Sequence, residues 1–98
     1  WKFKIAEYYK NKGFEILVEE HINGRPDIII LNGSRQTAIE IETGSSDFIK
    51  NVTRDLKAFD HTVCVATNKE AEEKIRQGLA ENNLINAKIT SVLNFEIA

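Results

Sequence analysis

The chain has 98 residues, of which 42% are hydrophobic and 29% are charged, and its net charge is −2. These values are typical of a globular protein and exclude a disordered or collagen-like chain. All apolar runs are shorter than the ~18 residues that cross a bilayer, so we expect no membrane partner. The length suits one domain over residues 1–98.

Cysteine content restricts the chemistry further. The chain has one cysteine, Cys64, which excludes an internal disulfide and a zinc site built from cysteines. A chain without disulfides is typical of a reducing compartment, so we expect a cytoplasmic protein. Because the chain begins at Trp1 and contains no methionine, we expect a domain that is excised from, or fused to, a larger chain.

Turn-forming residues divide the chain into eight predicted elements in the order αβββαβαβ. The pattern predicts helices over 1–12, 46–59 and from a capping box at Thr67 and Glu70 to about 81, and strands over 14–22, 26–31, 36–42, 62–67 and 87–93. Three strands form a meander, and the last two each follow a helix. We therefore expect an α/β fold with a mixed central sheet flanked by helices.

Three acidic residues, Asp27, Glu40 and Glu42, fall close together in the predicted meander. If residues 32–35 form a four-residue hairpin loop, Asp27 lies directly opposite Glu40, whereas a two-residue turn would shift this register. Glu42 shares the face of Glu40, because side chains alternate along a strand. Like charges this close repel each other, and a hard divalent cation such as Mg²⁺ between them would remove the repulsion. Alternating acids are also typical of a half-exposed strand, so a solvated face remains an alternative.

At this point the sequence resembles a known superfamily. Residues 24–30 (GRPDIII), followed by residues 38–42 (AIEIE), resemble the PD-(D/E)xK nucleases, which share the restriction-endonuclease-like fold. The layout is similar to that of archaeal Holliday-junction resolvases and Mrr-type endonucleases, where a helix and a Gly-Phe pair, here Gly13-Phe14, precede the Pro-Asp strand. The resemblance covers residues 1–67. It implies an αβββαβ core, to which this chain adds a C-terminal helix and strand.

The resemblance implies metal-assisted hydrolysis of phosphodiester bonds in DNA. Asp27, Glu40 and the backbone carbonyl of Ile41 would hold Mg²⁺ or Mn²⁺, and the ion would lower the pKa of a bound water. The family pattern has lysine where this chain has Glu42, which would serve as a further ligand or as a general base. Lys50, on the following helix, is the substitute that we predict for that lysine.

Further site residues are predicted on the first helix. Glu7 resembles an acid that the resolvases carry on their first helix, and we include it among the catalytic residues. Lys10 and Lys12 belong to a basic N-terminal segment, in which residues 1–14 hold four lysines against one glutamate. We expect these two lysines to contact DNA, and an ordinary solvated surface is the alternative explanation of the charges.

The second predicted helix carries the other expected DNA contacts. Lys50, Arg54 and Lys57 recur at helical spacing opposite the apolar side, where they could follow a phosphate backbone. An ordinary solvent-facing side of an amphipathic helix has the same pattern, so that interpretation stays open.

Three functional hypotheses result. The first is a metal-dependent DNA endonuclease. The second, favoured by Glu42 in place of lysine, is a catalytically inactive nuclease fold that binds DNA or a protein within a larger chain. The third is an unrelated small α/β domain with acids on its surface. Since a domain of this size contacts little DNA alone, we also expect a homodimer or a fused domain.

Overall fold

The computed structural model describes residues 1–18, 26–43 and 48–91. Its elements are the helices α1 (Lys2–Asn11), α2 (Phe48–Ala58) and α3 (Lys69–Glu81), and the strands β1 (Glu15–Val18), β2 (Ile28–Asn32), β3 (Arg35–Glu42), β4 (His61–Ala66) and β5 (Lys88–Ser91). The order αβββαβαβ agrees with the prediction. Predicted residues 19–22 of the first strand, 46–47 of the second helix and 92–93 of the last strand lie outside the described residues.

The strands form one mixed sheet in the order β1-β2-β3-β4-β5. The pairs from β1 to β3 are antiparallel, and the pairs from β3 to β5 are parallel. Parallel neighbours need a crossover, which α2 provides between β3 and β4 and α3 provides between β4 and β5. The α/β class and the mixed sheet are therefore confirmed. Within the described part of the chain, no helix has the length and apolar character needed to span a membrane.

The hairpin between β2 and β3 has the predicted register, with Leu31 opposite Gln36. The loop is shorter than predicted, because Asn32 also pairs with Arg35. Adding this pair extends the ladder without sliding it, so the expectation that a two-residue turn would shift the register was wrong. Gly33 takes φ +64° in the turn, a left-handed conformation that glycine adopts without steric cost.

Each face of the sheet buries its own apolar cluster. On the first face α1 packs over β1 and β2, and the buried residues are Ile5, Ala6, Ile28, Ile30, Ile39 and Val65. On the second face α2 and α3 pack, and the buried residues are Val52, Cys64, Ala66, Ala71, Ile75, Leu79 and Ala87. Because neighbouring residues of a strand point to opposite faces, Ile39 lies under α1 and Glu40 lies on the side of α2. We call these the α1 face and the α2 face.

The N-terminus of α3 differs from the predicted capping box. The Asn68 side chain accepts a hydrogen bond from the backbone nitrogen of Ala71 at 2.8 Å, so Asn68 and not Thr67 is the N-cap. Thr67 is bound to β3 instead. Its backbone nitrogen and its hydroxyl donate to the carbonyl of Glu42 at 3.1 and 3.3 Å, which ties the end of β3 to the start of α3.

Candidate active site

Asp27 precedes β2, at the point where the backbone ladder with β3 has ended at the pair of Ile28 and Ile39. Its Oδ2 atom accepts a hydrogen bond from the backbone nitrogen of Ile41 at 2.9 Å. The side chain therefore continues the pairing that the backbone no longer makes. This bond holds the Asp27 carboxylate against the strand that carries Glu40.

Glu40 and Glu42 are buried on the α2 face, with 4% and 2% of their surface exposed. The alternative interpretation of a solvated strand face is therefore wrong for these two acids, because α2 covers the face on which they lie. A carboxylate that is removed from water is costly unless it is paired or takes up a proton. The surroundings of Glu40 show both kinds of compensation.

Arg54 of α2 provides the pairing. Its Nη2 atom lies 2.9 Å from Oε2 of Glu40 and 3.0 Å from Oδ1 of Asp55. Its Nε atom also donates to Oδ1 of Asp55, at 3.1 Å. The Arg54 side chain is 30% exposed, so the guanidinium lies between the buried carboxyls and solvent. We predicted Arg54 as a DNA contact from its helical spacing, and that role remains a prediction.

Asp55 is the residue of this cluster that the sequence analysis missed. It is fully buried, and its Oδ2 atom accepts no hydrogen bond from the amide, hydroxyl or guanidinium donors of the described residues. The signal was present in the sequence. Asp55 follows Val52 by three positions and precedes Leu56, so it interrupts the apolar side of an amphipathic helix.

Protonation is the second compensation. The pKa of Glu40 is raised well above its ordinary value by burial, by its hydrogen bond with Asp55 and by the charges of Asp55 and Asp27, while Arg54 opposes the shift. Two carboxyls in hydrogen-bond contact need a proton between them. A protonated Glu40 can donate a hydrogen bond to the carboxylate of Asp55, and Arg54 then balances the charge of Asp55.

Cys64 lies beneath this cluster, paired with Glu40 across β3 and β4. Burial, followed by the charges of Glu42, Glu40 and Asp55, raises the pKa of the Cys64 thiol to about 12. The thiol therefore stays protonated and unreactive at neutral pH. Its burial agrees with a structural role.

The other predicted site residues lie on the surface. Lys50 and Lys57 are exposed on α2, on either side of Arg54 in the sequence. Glu7, Lys10 and Lys12 are exposed on or just after α1, and α1 packs on the sheet face opposite Glu40. The predicted catalytic role of Glu7 and the predicted DNA contacts of these lysines remain predictions.

The cluster fits a divalent cation by its donor chemistry. Asp27, Glu40 and Asp55 offer carboxylate oxygens, which Mg²⁺ and Mn²⁺ prefer. As placed, however, the described residues contain no group of three or more histidine, cysteine, aspartate or glutamate side chains arranged to hold a metal ion. Glu40 would have to release its proton before it became a ligand, and its Oε2 atom is already engaged by Arg54.

Comparisons with known proteins identify no relative. No family model, no curated protein and no solved structure matches the chain. The nuclease interpretation therefore depends on the residues and the geometry of this chain itself.

Proposed function

We propose that this domain is a metal-dependent nuclease of the PD-(D/E)xK type that hydrolyses phosphodiester bonds in DNA. The observation that carries the proposal is the hydrogen bond between Asp27 and Ile41, which holds the Pro-Asp carboxylate beside Glu40 on the next strand. The element order and the register of β2 and β3 support the same proposal. The element order and the register are independent of the pattern of charges in the sequence.

In this proposal Asp27, Glu40 and the backbone carbonyl of Ile41 hold Mg²⁺ or Mn²⁺. A bound ion there would polarise a phosphoryl oxygen and lower the pKa of a water ligand. Asp27 is already oriented by its hydrogen bond to β3, and Glu40 contributes a charge once its proton has left. Glu42, buried two residues further along the same face, is the further ligand or general base.

DNA would lie along α2 on the same side of the sheet as Glu40. Lys50 and Lys57 are exposed there and would contact backbone phosphates. Lys10 and Lys12 lie at the end of α1, on the other side of the sheet. They would contact a different stretch of DNA, which a homodimer or a fused domain would hold against the protein. The cytoplasmic location stays a prediction.

One observation favours a second candidate function, the catalytically inactive nuclease fold. Arg54 already pairs with Glu40 at 2.9 Å, so the protein itself supplies one positive charge to the cluster, which is part of what a metal would supply. Glu42 in place of the motif lysine points the same way. Such a module would bind DNA or a protein through α2 without cleaving its partner.

Cleavage assays on duplex, branched and single-stranded DNA, each with Mg²⁺, Mn²⁺ or EDTA, test these candidates. Asp27→Asn and Glu40→Gln are the informative variants, and Glu15→Gln is the matched control, because Glu15 is an exposed acid on β1. Metal-dependent cleavage that both site variants lose supports the nuclease. Binding without cleavage in any metal supports the inactive module, and the absence of both binding and cleavage contradicts both.

A further inference from the structure

The guanidinium of Arg54 is bound closely through Nε and Nη2 and more loosely through Nη1. Nε and Nη2 donate to Asp55 and Glu40 at 2.9 to 3.1 Å. Nη1 donates to the Asn51 side chain at 3.4 Å, which is long for a hydrogen bond. Since a guanidinium carries five N–H donors in a rigid fork, the Nη1 edge keeps donor capacity among the described contacts. The side chain is 30% exposed, so part of it remains in contact with solvent.

Asp55 is what orients the fork. It is fully buried and accepts from both Nε and Nη2 of Arg54 through one oxygen. A buried ion pair often contributes no more stability than apolar residues of the same volume. A gain in stability therefore does not explain an aspartate on the apolar side of α2. The orientation of Arg54 by Asp55 explains it directly.

We propose that the Nη1 edge of Arg54 is a phosphoryl-binding subsite and that Asp55 is its positioning residue. The ligand is a non-bridging oxygen of a phosphodiester, which a planar, permanently charged guanidinium binds through directed N–H groups. The inference rests on the proposed function, because Glu40 beside the subsite is the proposed ligand of the metal. It assigns to Arg54 the positive charge that the family motif places at position 42.

This placement gives Arg54 and its neighbour Asp55 complementary roles in binding the phosphodiester. A phosphodiester brings negative charge to the cluster, and Arg54 then bridges the phosphoryl oxygen and the carboxyl of Asp55. The guanidinium keeps its geometry in the process, because the bonds to Asp55 use the edge opposite to the ligand. A lysine at this position would offer a point charge without two separate edges.

The test compares Arg54→Gln and Asp55→Asn with Arg76→Gln, an exposed arginine on α3. Arg54→Gln should lower metal-dependent cleavage by about 10²-fold or more, the scale of losing one charge-stabilising donor. In EDTA it should also reduce the salt dependence of DNA binding by about one charge. Asp55→Asn should lower kcat more than it raises KM, and Arg76→Gln should leave both unchanged.

Removing Arg54 leaves buried carboxyls without their cation, so Arg54→Lys provides a second variant. It keeps the charge and loses the fork, and we expect salt-dependent binding near that of the wild type with cleavage lowered about tenfold or more. Free guanidinium should raise the cleavage rate of Arg54→Ala but not that of Arg76→Gln. Equal cleavage by folded Arg54→Lys and wild type would overturn the inference and leave the nuclease proposal intact.

The failure of the proposed function has a different signature. Wild-type protein that binds DNA but never cleaves it overturns the nuclease proposal. In that case the phosphoryl subsite stands if Arg54→Gln loses about one charge of salt dependence relative to Arg76→Gln. It is overturned if the two variants bind DNA with the same affinity and the same salt dependence.

Discussion

The carboxylate of Asp27 lies 2.9 Å from the backbone nitrogen of Ile41, just beyond the last backbone pair of β2 and β3. A short side chain thus takes the place of a backbone carbonyl in the ladder. The bond engages one of two carboxylate oxygens and fixes the acid between two inner strands. This position makes Asp27 the most informative residue for tests of metal binding.

We expect Mn²⁺ to raise the melting temperature of the wild-type protein, because an ion that binds the folded state alone stabilises it. Free ion at a hundred times Kd contributes about 2.7 kcal/mol. Asp27→Asn should abolish the shift, since the amide can still accept from Ile41 but no longer offers a charged ligand. Thermal melts with and without Mn²⁺ measure this, with Glu15→Gln as control. An undiminished shift in Asp27→Asn would place the ion elsewhere.

Without metal, the raised pKa of Glu40 should make the protein less stable as the pH rises. The folded state binds this proton more tightly than the unfolded chain does, where glutamate has its ordinary value of 4.5. The contribution is therefore complete below that value and is lost as the pH approaches the folded-state pKa. Glu40→Gln imitates the protonated form and should flatten this dependence.

Melting temperatures in EDTA from about pH 5 to about pH 9 check the effect. The charge of Glu40 also acts on the Cys64 thiol, so the difference between wild type and Glu40→Gln reports Glu40 together with its effect on that neighbour. Titrating groups away from the cluster act alike in both proteins. We expect the melting temperature of Glu40→Gln to rise relative to that of the wild type as the pH rises. Parallel curves over this range would show that Glu40 is ionised in the folded protein.

The order of elements along the chain and the register of the hairpin were predictable because they follow from local patterns. A slip of one residue would turn Ile39 out of the α1 face and Glu40 into it, so the alternation permits few registers. The length of the loop was not predictable in the same way. The pairing of Asn32 with Arg35 depends on the turn conformation at Gly33. Both residues are polar, so the apolar alternation of the strands does not indicate whether they pair.

The inner part of the site was less accessible to sequence reasoning. Helical spacing places Arg54 opposite the apolar side of α2, and the direction of its side chain toward Glu40 depends on the carboxyls within its reach. The burial of Glu40 likewise depends on α2 covering that face of the sheet. The direction of Arg54 and the burial of Glu40 both depend on tertiary packing. The position of Asp55 on the apolar side of α2 is a local sequence pattern and was predictable.

The N-cap of α3 offers a test of local structure. Asn68→Ala should lower the free energy of unfolding by about 1 kcal/mol, because the amide of Ala71 loses its acceptor. Asn68→Asp should retain the stability, since a carboxylate also caps and suits a helix N-terminus. Chemical denaturation measures both. If Asn68→Ala were neutral while Thr67→Val lost this amount, the predicted capping box at Thr67 would be right after all.

Lys50 and Lys57 separate the two hypotheses about the missing motif lysine. Both are exposed on α2, whereas Arg54 contacts Glu40 directly. We therefore expect Lys50→Ala to behave like Lys57→Ala, with a raised KM, kcat within a few-fold of wild type, and salt dependence lower by about one charge. If Lys50→Ala instead lowers kcat by about 10²-fold while Mn²⁺ still shifts its melting temperature, then Lys50 supplies the catalytic charge, as its sequence position predicted. Steady-state kinetics on the same DNA substrate, at two salt concentrations, distinguish these outcomes, because a phosphate contact acts through KM and a charge at the reacting phosphate acts through kcat.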